Sequence, residues 1–153
     1  MDLVLTKRLE RRNYNMAKLS MFMLCNAINN LQQANGSIPQ LIGPQTVLRP
    51  QFVPSNFSFG IAVGVTDVNL HESYRIRFTI ADPDGKVVHD SGESDFPAIE
   101  KADTLPVEYQ GFALSIDIRN LIVEKEGAFK FNLFINGKVV GEHEIPIFCG
   151  GKQ

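Results

Sequence analysis

Four stretches of the chain alternate apolar and polar residues with period two. In "FSFGIAVGVT" Phe57, Phe59, Ile61, Val63 and Val65 fall on one face, and Ser58, Gly60, Ala62, Gly64 and Thr66 on the other. "YRIRFTI" sets Tyr74, Ile76, Phe78 and Ile80 against Arg75, Arg77 and Thr79. "FALSIDI" sets Phe112, Leu114, Ile116 and Ile118 against Ala113, Ser115 and Asp117. "AFKFNLFI" sets Phe129, Phe131, Leu133 and Ile135 against Lys130 and Asn132. Successive side chains of a strand point to opposite sides, so this pattern is what a sheet with one buried face requires. The chain is therefore predicted to be mostly β.

Turn residues punctuate the pattern. Asn136-Gly137 stands between two alternating runs, and both residues tolerate the positive φ of a tight hairpin. "ADPDGK" offers Pro83 and Gly85 for a turn, and Asn35-Gly36 marks another. The predicted strands are 19–28, 38–42, 45–49, 57–66, 73–81, 86–91, 111–119, 128–135 and 138–147. Residues 92–108 are a polar, proline-punctuated connection with room for one helical turn. Short strands with turns between them predict an antiparallel β-sandwich of about seven to nine strands, its two sheets spaced by the many Phe.

Composition narrows the class further. With 153 residues, 44% apolar and 21% charged, the chain has the make-up of one soluble globular domain. A net charge of -2 and a pI of 5.9 give no electrostatic footprint for nucleic acid. Residues 1–15 differ from the rest, holding Lys7, Arg8, Arg11 and Arg12 against Asp2 and Glu10. Glu10-Arg11-Arg12 can be encoded GAA-AGG-AGG, a bacterial ribosome-binding sequence with an A/T-rich spacer before Met16. Translation is on this reading expected to start at Met16, leaving 1–15 as a non-native or disordered extension and 16–150 as the domain; a short basic arm is the alternative. "KLSMFMLCNAI" has an apolar run of about ten residues, far below the roughly 20 needed to span a bilayer. Asn26, Asn29 and Asn30 interrupt it and no cleavage site follows, so a strand is expected rather than a signal peptide. Cys25 and Cys149 fit no metal or redox spacing and read as buried thiols of a reducing compartment, with a disulfide between terminal strands left open.

Three pieces carry a family resemblance: "MFMLCNAINN…ANGSIPQLIG", "RIRFTIADPDGKVV" and "EGAFKFNLFINGKVVGEHEIPIF". In that order they resemble a family of small uncharacterised bacterial and phage domains of unknown function. Its marks are an Ile-Gly pair ending an early strand (Ile42-Gly43), a D-x-D-G turn (Asp82, Asp84, Gly85) and a last hairpin with Gly127, Phe129, Phe131, Asn136 and Gly137. The resemblance covers about residues 16–148. It implies an immunoglobulin-like sandwich in the cytoplasm, supports a start at Met16, and hands over no catalytic residues.

The search for chemistry finds little. There is no G-x-S-x-G, and neither cysteine has a histidine near it in sequence. His71, His89 and His143 are scattered, and alternation puts Glu142 and Glu144 on the face opposite His143. Gly60 and Gly64 precede no helix, so they form a flat face for a close neighbour rather than a phosphate loop. Asp82, Asp84, Asp90, Glu93 and Asp95 lack EF-hand spacing and read as a solvated turn, weak calcium binding being the alternative. No catalytic residue, metal or cofactor is expected. Two surfaces remain. Residues 38–57 hold four prolines and one charge, and Leu41, Val47, Leu48, Phe52 and Val53 would form an apolar edge that needs covering, by a protein partner or a second copy. Arg75, Arg77, Arg119 and Lys130 would form a basic stripe, a face for a small anionic ligand unless Asp117 and Glu124 neutralise it. The expected function is that of a non-enzymatic interaction domain without nucleic-acid or membrane partners, with an anionic-ligand-binding domain as the alternative.

Overall fold

The computed structural model describes residues 17–34, 36–98 and 105–150. The expected extension at 1–15 and the proposed start at Met16 lie outside the described residues. The described residues form nine strands: β1 Lys18–Gln33, β2 Gly36–Gln45, β3 Ser55–Thr66, β4 Tyr74–Ala81, β5 Val87–Asp90, β6 Ser94–Phe96, β7 Gly111–Val123, β8 Gly127–Ile135 and β9 Lys138–Ile147. A single 3-10 turn, Val107–Tyr109, precedes β7. One sheet has the order β2-β1-β3-β7 and the other β5-β4-β8-β9, with β6 also pairing β4. Setting β2 and β6 aside, β1-β3-β7 faces β5-β4-β8-β9, the Greek-key arrangement of an immunoglobulin-like sandwich.

The two inner faces meet in a core made of the alternating residues. Phe59, Ile61, Val63 and Val65 of β3 and Phe129, Phe131, Leu133 and Ile135 of β8 are buried, with Ile80, Ile118, Ile145 and Ile147 beside them. Phe131 is the centre of the aromatic packing, its ring 5.2 Å from Phe22 and 5.6 Å from Phe78. The hairpin from β8 to β9 turns through Asn136 and Gly137, both at positive φ (51° and 80°), as the Asn-Gly pair requires.

Four elements differ from expectation, the first being β1, which runs on to Gln33 past the expected end at 28. The segments expected as separate strands at 38–42 and 45–49 are one strand, β2, followed by a strap that touches β9 at a single parallel bridge, Leu48↔Ile147. β7 runs on to Val123 because a bulge shifts the phase of burial. Register slips opposite Phe57/Phe59, Asn120 adopts φ 56°, and the buried positions pass from Ile118 to Leu121 and Val123. β6 lies inside the stretch expected as a connection, too short to show a period.

β3 is buried on both faces from Phe59 to Val65. Its small outer residues lie under side chains of β1. A Cβ on Gly60 would sit 2.7 Å from the Cys25 sulfur, and one on Gly64 would sit 2.9 Å from Met21 Cβ. The close neighbour these glycines admit is thus strand β1 itself.

Candidate interaction surfaces

The β1–β2 hairpin reaches beyond the sandwich. β1 pairs with β3 only as far as Cys25↔Gly60, whereas its pairing with β2 continues to Gln33↔Gly36. From Ala27 outward the two strands therefore form a ribbon with no third strand among the described residues, an element of marginal stability by itself in water. Gly60 permits the departure: a Cβ there would also meet Ile28 Cγ1 at 2.7 Å.

The ribbon carries no charge. From Leu19 through Leu48 the sequence contains no Asp, Glu, Lys or Arg. Alternation puts Met21, Met23, Ala27 and Leu31 of β1 on one face, and the register places Ile42 opposite Ala27 and Ile38 opposite Leu31. Five of these are large and exposed: Met21 44%, Met23 39%, Leu31 43%, Ile38 48% and Ile42 44%. They make a continuous apolar stripe with only the amides of Asn29 and Gln40 between its ends. Single exposed apolar residues are ordinary, but a contiguous row on one face is not. Pro39 and Pro44 remove two amide donors from β2, the edge strand of this sheet. That blunts strand-to-strand addition and leaves the side-chain face as the contact surface.

The expected apolar edge is redistributed. Leu48 is 1% exposed and belongs to the core, so its assignment to an interface is corrected. Backbone bonds from Leu48 N–H to Pro146 O (2.9 Å) and from Phe148 N–H to Leu48 O (3.0 Å) hold the strap against β9 and drive the leucine inward. Val53 packs against the core, and Leu41 and Val47 are half-buried. Phe52 alone of the five is fully exposed, at 63%. Sequence reasoning missed Leu31, Ile38 and Ile42; the signal for them was the absence of charge along the whole hairpin.

The basic stripe does not form as expected. Arg75 and Arg77 lie on β4 and Lys130 on β8, but Arg119 lies on β7 in the other sheet. Each has a carboxylate beside it. Arg75 is 3.0 Å from Glu93 and 3.7 Å from Asp95, Arg119 is 2.9 Å from Asp117, and Lys130 is 3.8 Å from Glu142. Arg77 grips Asp90 with two bonds, of 2.9 and 2.6 Å, while its guanidinium lies 5.0 Å from the Phe134 ring. The Arg77 bonds, then the amide of Gly92, hold the Asp90 carboxyl well below the usual carboxylate range.

The acidic loop is a structural turn. Asp82 Oδ1 accepts the amides of Asp84 (2.9 Å) and Lys86 (3.0 Å), and Asp84 pairs with Lys125. His143 stacks on Phe22 at 4.1 Å, His89 stacks on Phe78 at 5.4 Å, and His71 lies in the loop ahead of β4, its amide donating to Asn69 Oδ1 at 3.0 Å. Among the described residues no three His, Cys, Asp or Glu side chains converge as a metal site. Cys25 is buried on β1, and desolvation pushes its thiol up; Cys149 follows β9 in the other sheet. Among the described residues no helix is long and apolar enough to cross a membrane.

Comparison with known proteins adds a family and two outlines. The sequence model of DUF6941, described as a family of unknown function, matches residues 20–148. No curated protein matches the chain. One similar solved structure is the Pseudomonas fluorescens alkylpurine DNA glycosylase AlkC bound to DNA containing an abasic site analog. It shows 11% identity and a TM-score of 0.44 over 86% of this chain, which spans only 30% of the glycosylase. Another is an immunoglobulin-like protein from Pseudomonas aeruginosa, with 11% identity and a TM-score of 0.34 over 86% of this chain and 96% of that one.

Proposed function

This chain belongs to the DUF6941 family of unknown function, and we propose that it is a non-enzymatic interaction domain that self-associates through the outer face of its β1–β2 hairpin. The observation that carries this reading is the uncharged, exposed row Met21, Met23, Leu31, Ile38 and Ile42 on a ribbon that leaves the sandwich. A second copy is the partner whose chemistry fits. In a two-fold contact the same patch meets itself, so a patch of one charge sign repels its copy and an uncharged apolar one does not. Burying such a row contributes about 25 cal/mol for each Å² of apolar surface removed from water. The absence of charge also bears against an anionic ligand or nucleic acid on this face, and the arginines elsewhere are already engaged by carboxylates. A bacterial or phage setting and a cytoplasmic location belong to the same reading, from the family resemblance and from cysteines without redox or metal spacing.

Light scattering during size-exclusion chromatography tests it. The full chain is expected to run as a dimer or larger species at high concentration. Ile38→Lys/Ile42→Lys is expected to run as a monomer with an unchanged unfolding midpoint, since both positions are exposed. A wild-type chain that stays monomeric at all concentrations, or a variant that still associates, overturns the proposal.

A further inference from the structure

A buried carboxylate stands at one end of the sandwich, away from the hairpin. Where β3 ends, Lys18 of β1 pairs with Thr66, and the next residue, Asp67, turns the chain outward toward β4. Asp67 adopts φ 62° and is 8% exposed, and its Oδ1 is enclosed with no hydrogen-bond partner among the described residues. Buried acceptors are almost always satisfied, and an ionised one most of all. A non-glycine residue held in the left-handed region at such a point directs attention to a ligand.

Asp67 lines a cavity of about 240 Å³ whose apolar walls include Val68, Ile135 and Val140. Glu72 and Lys138 also line it. The Tyr74 hydroxyl donates to Asn69 O at 2.8 Å, and Glu72 Oε2 lies 3.5 Å from it. Two carboxylates against one lysine leave the cavity with an excess of negative charge.

We propose that this cavity binds a small aliphatic primary ammonium. A carboxylate only accepts, so its ligand must donate, and an ammonium brings three donors on a compact charge. The apolar walls take an alkyl stem: the volume holds roughly eight groups of water size at about 30 Å³ each. A bare divalent metal does not fit: among the described residues no three His, Cys, Asp or Glu side chains converge here, and two carboxylates fall short of the six or more oxygen ligands calcium needs. The left-handed turn at Asp67 sets its side chain beside the cavity, where β3 ends.

The test is a titration of the full chain with n-butylammonium chloride, followed by amide NMR, with n-butanol as the uncharged control. Saturable shifts are expected for Val68, Glu72, Ile135 and Lys138, and none for n-butanol at the same concentrations. Asp67→Asn is expected to weaken binding at least about tenfold, the worth of one charge-assisted hydrogen bond. Glu72→Gln weakens it less, and as an exposed substitution it supplies the comparison should Asp67→Asn fail to fold. Lys138→Met is expected to tighten binding by removing a like charge. Absence of saturation, equal binding of n-butanol, or an affinity that neither carboxylate substitution changes overturns the proposal.

Discussion

Leu48 shows how one side chain can be read two ways. In the sequence it stands in a proline-marked, nearly uncharged segment, and an exposed apolar edge is the natural reading. In the fold the strap carrying it pairs with the end of β9, and the leucine closes the core beside Ile147. Nothing local distinguishes the two outcomes, because the deciding contact is with Ile147, about two-thirds of the chain length away. The consequence is measurable in urea unfolding. Leu48→Ala is expected to cost about 2–5 kcal/mol, as leucine truncations in packed cores do, while Phe52→Ala, at a 63% exposed site, is expected to leave the midpoint nearly unchanged. Equal effects at the two positions would return Leu48 to the surface.

At the scale of elements, alternation located the four central strands because one face of each must be buried. It failed where the phase breaks. The bulge at Asn120 carries β7 past the point where even-numbered burial stops, and period-two reading ends there. β6 is three residues long and has no period to read. The basic stripe failed for a different reason. Outward-facing residues were legible, but the sheet to which β7 belongs was not, and Arg119 fell on the opposite side. On β4 the same topology ties short β5 to its neighbour through Arg77 and Asp90. Because the folded Asp90 carboxyl is held below its unfolded value, this contribution is complete above the ordinary carboxylate range. It is lost as pH falls through that range, about 3.9 for aspartate, and below it. Arg77→Ala is therefore expected to lower stability at neutral pH, with the gap from wild type closing as the solution is acidified. A gap that is constant with pH would show that Asp90 titrates normally.

At the scale of the whole molecule, the sandwich was legible and the projecting hairpin was not. Asn26, Asn29 and Asn30 interrupt the apolar run and the expected strand stops at 28, whereas β1 continues to Gln33 as the projecting half of the hairpin. What separates the two halves of β1 is how far β3 follows it, and that pairing ends at Gly60. The absence of charge from Leu19 through Leu48 was present in the sequence, yet it means something only once the ribbon is known to lack cover. The Asp67 cavity was invisible for a similar reason: its walls come from β4, β8, β9 and the segments between strands. Amide hydrogen exchange of the full chain at low and high protein concentration tests the central claim most directly. Self-association through the hairpin predicts that amides of 27–33 and 36–43 gain protection as concentration rises while those of β3 and β8 stay constant. Hairpin amides that exchange at the same rate at every concentration would contradict it.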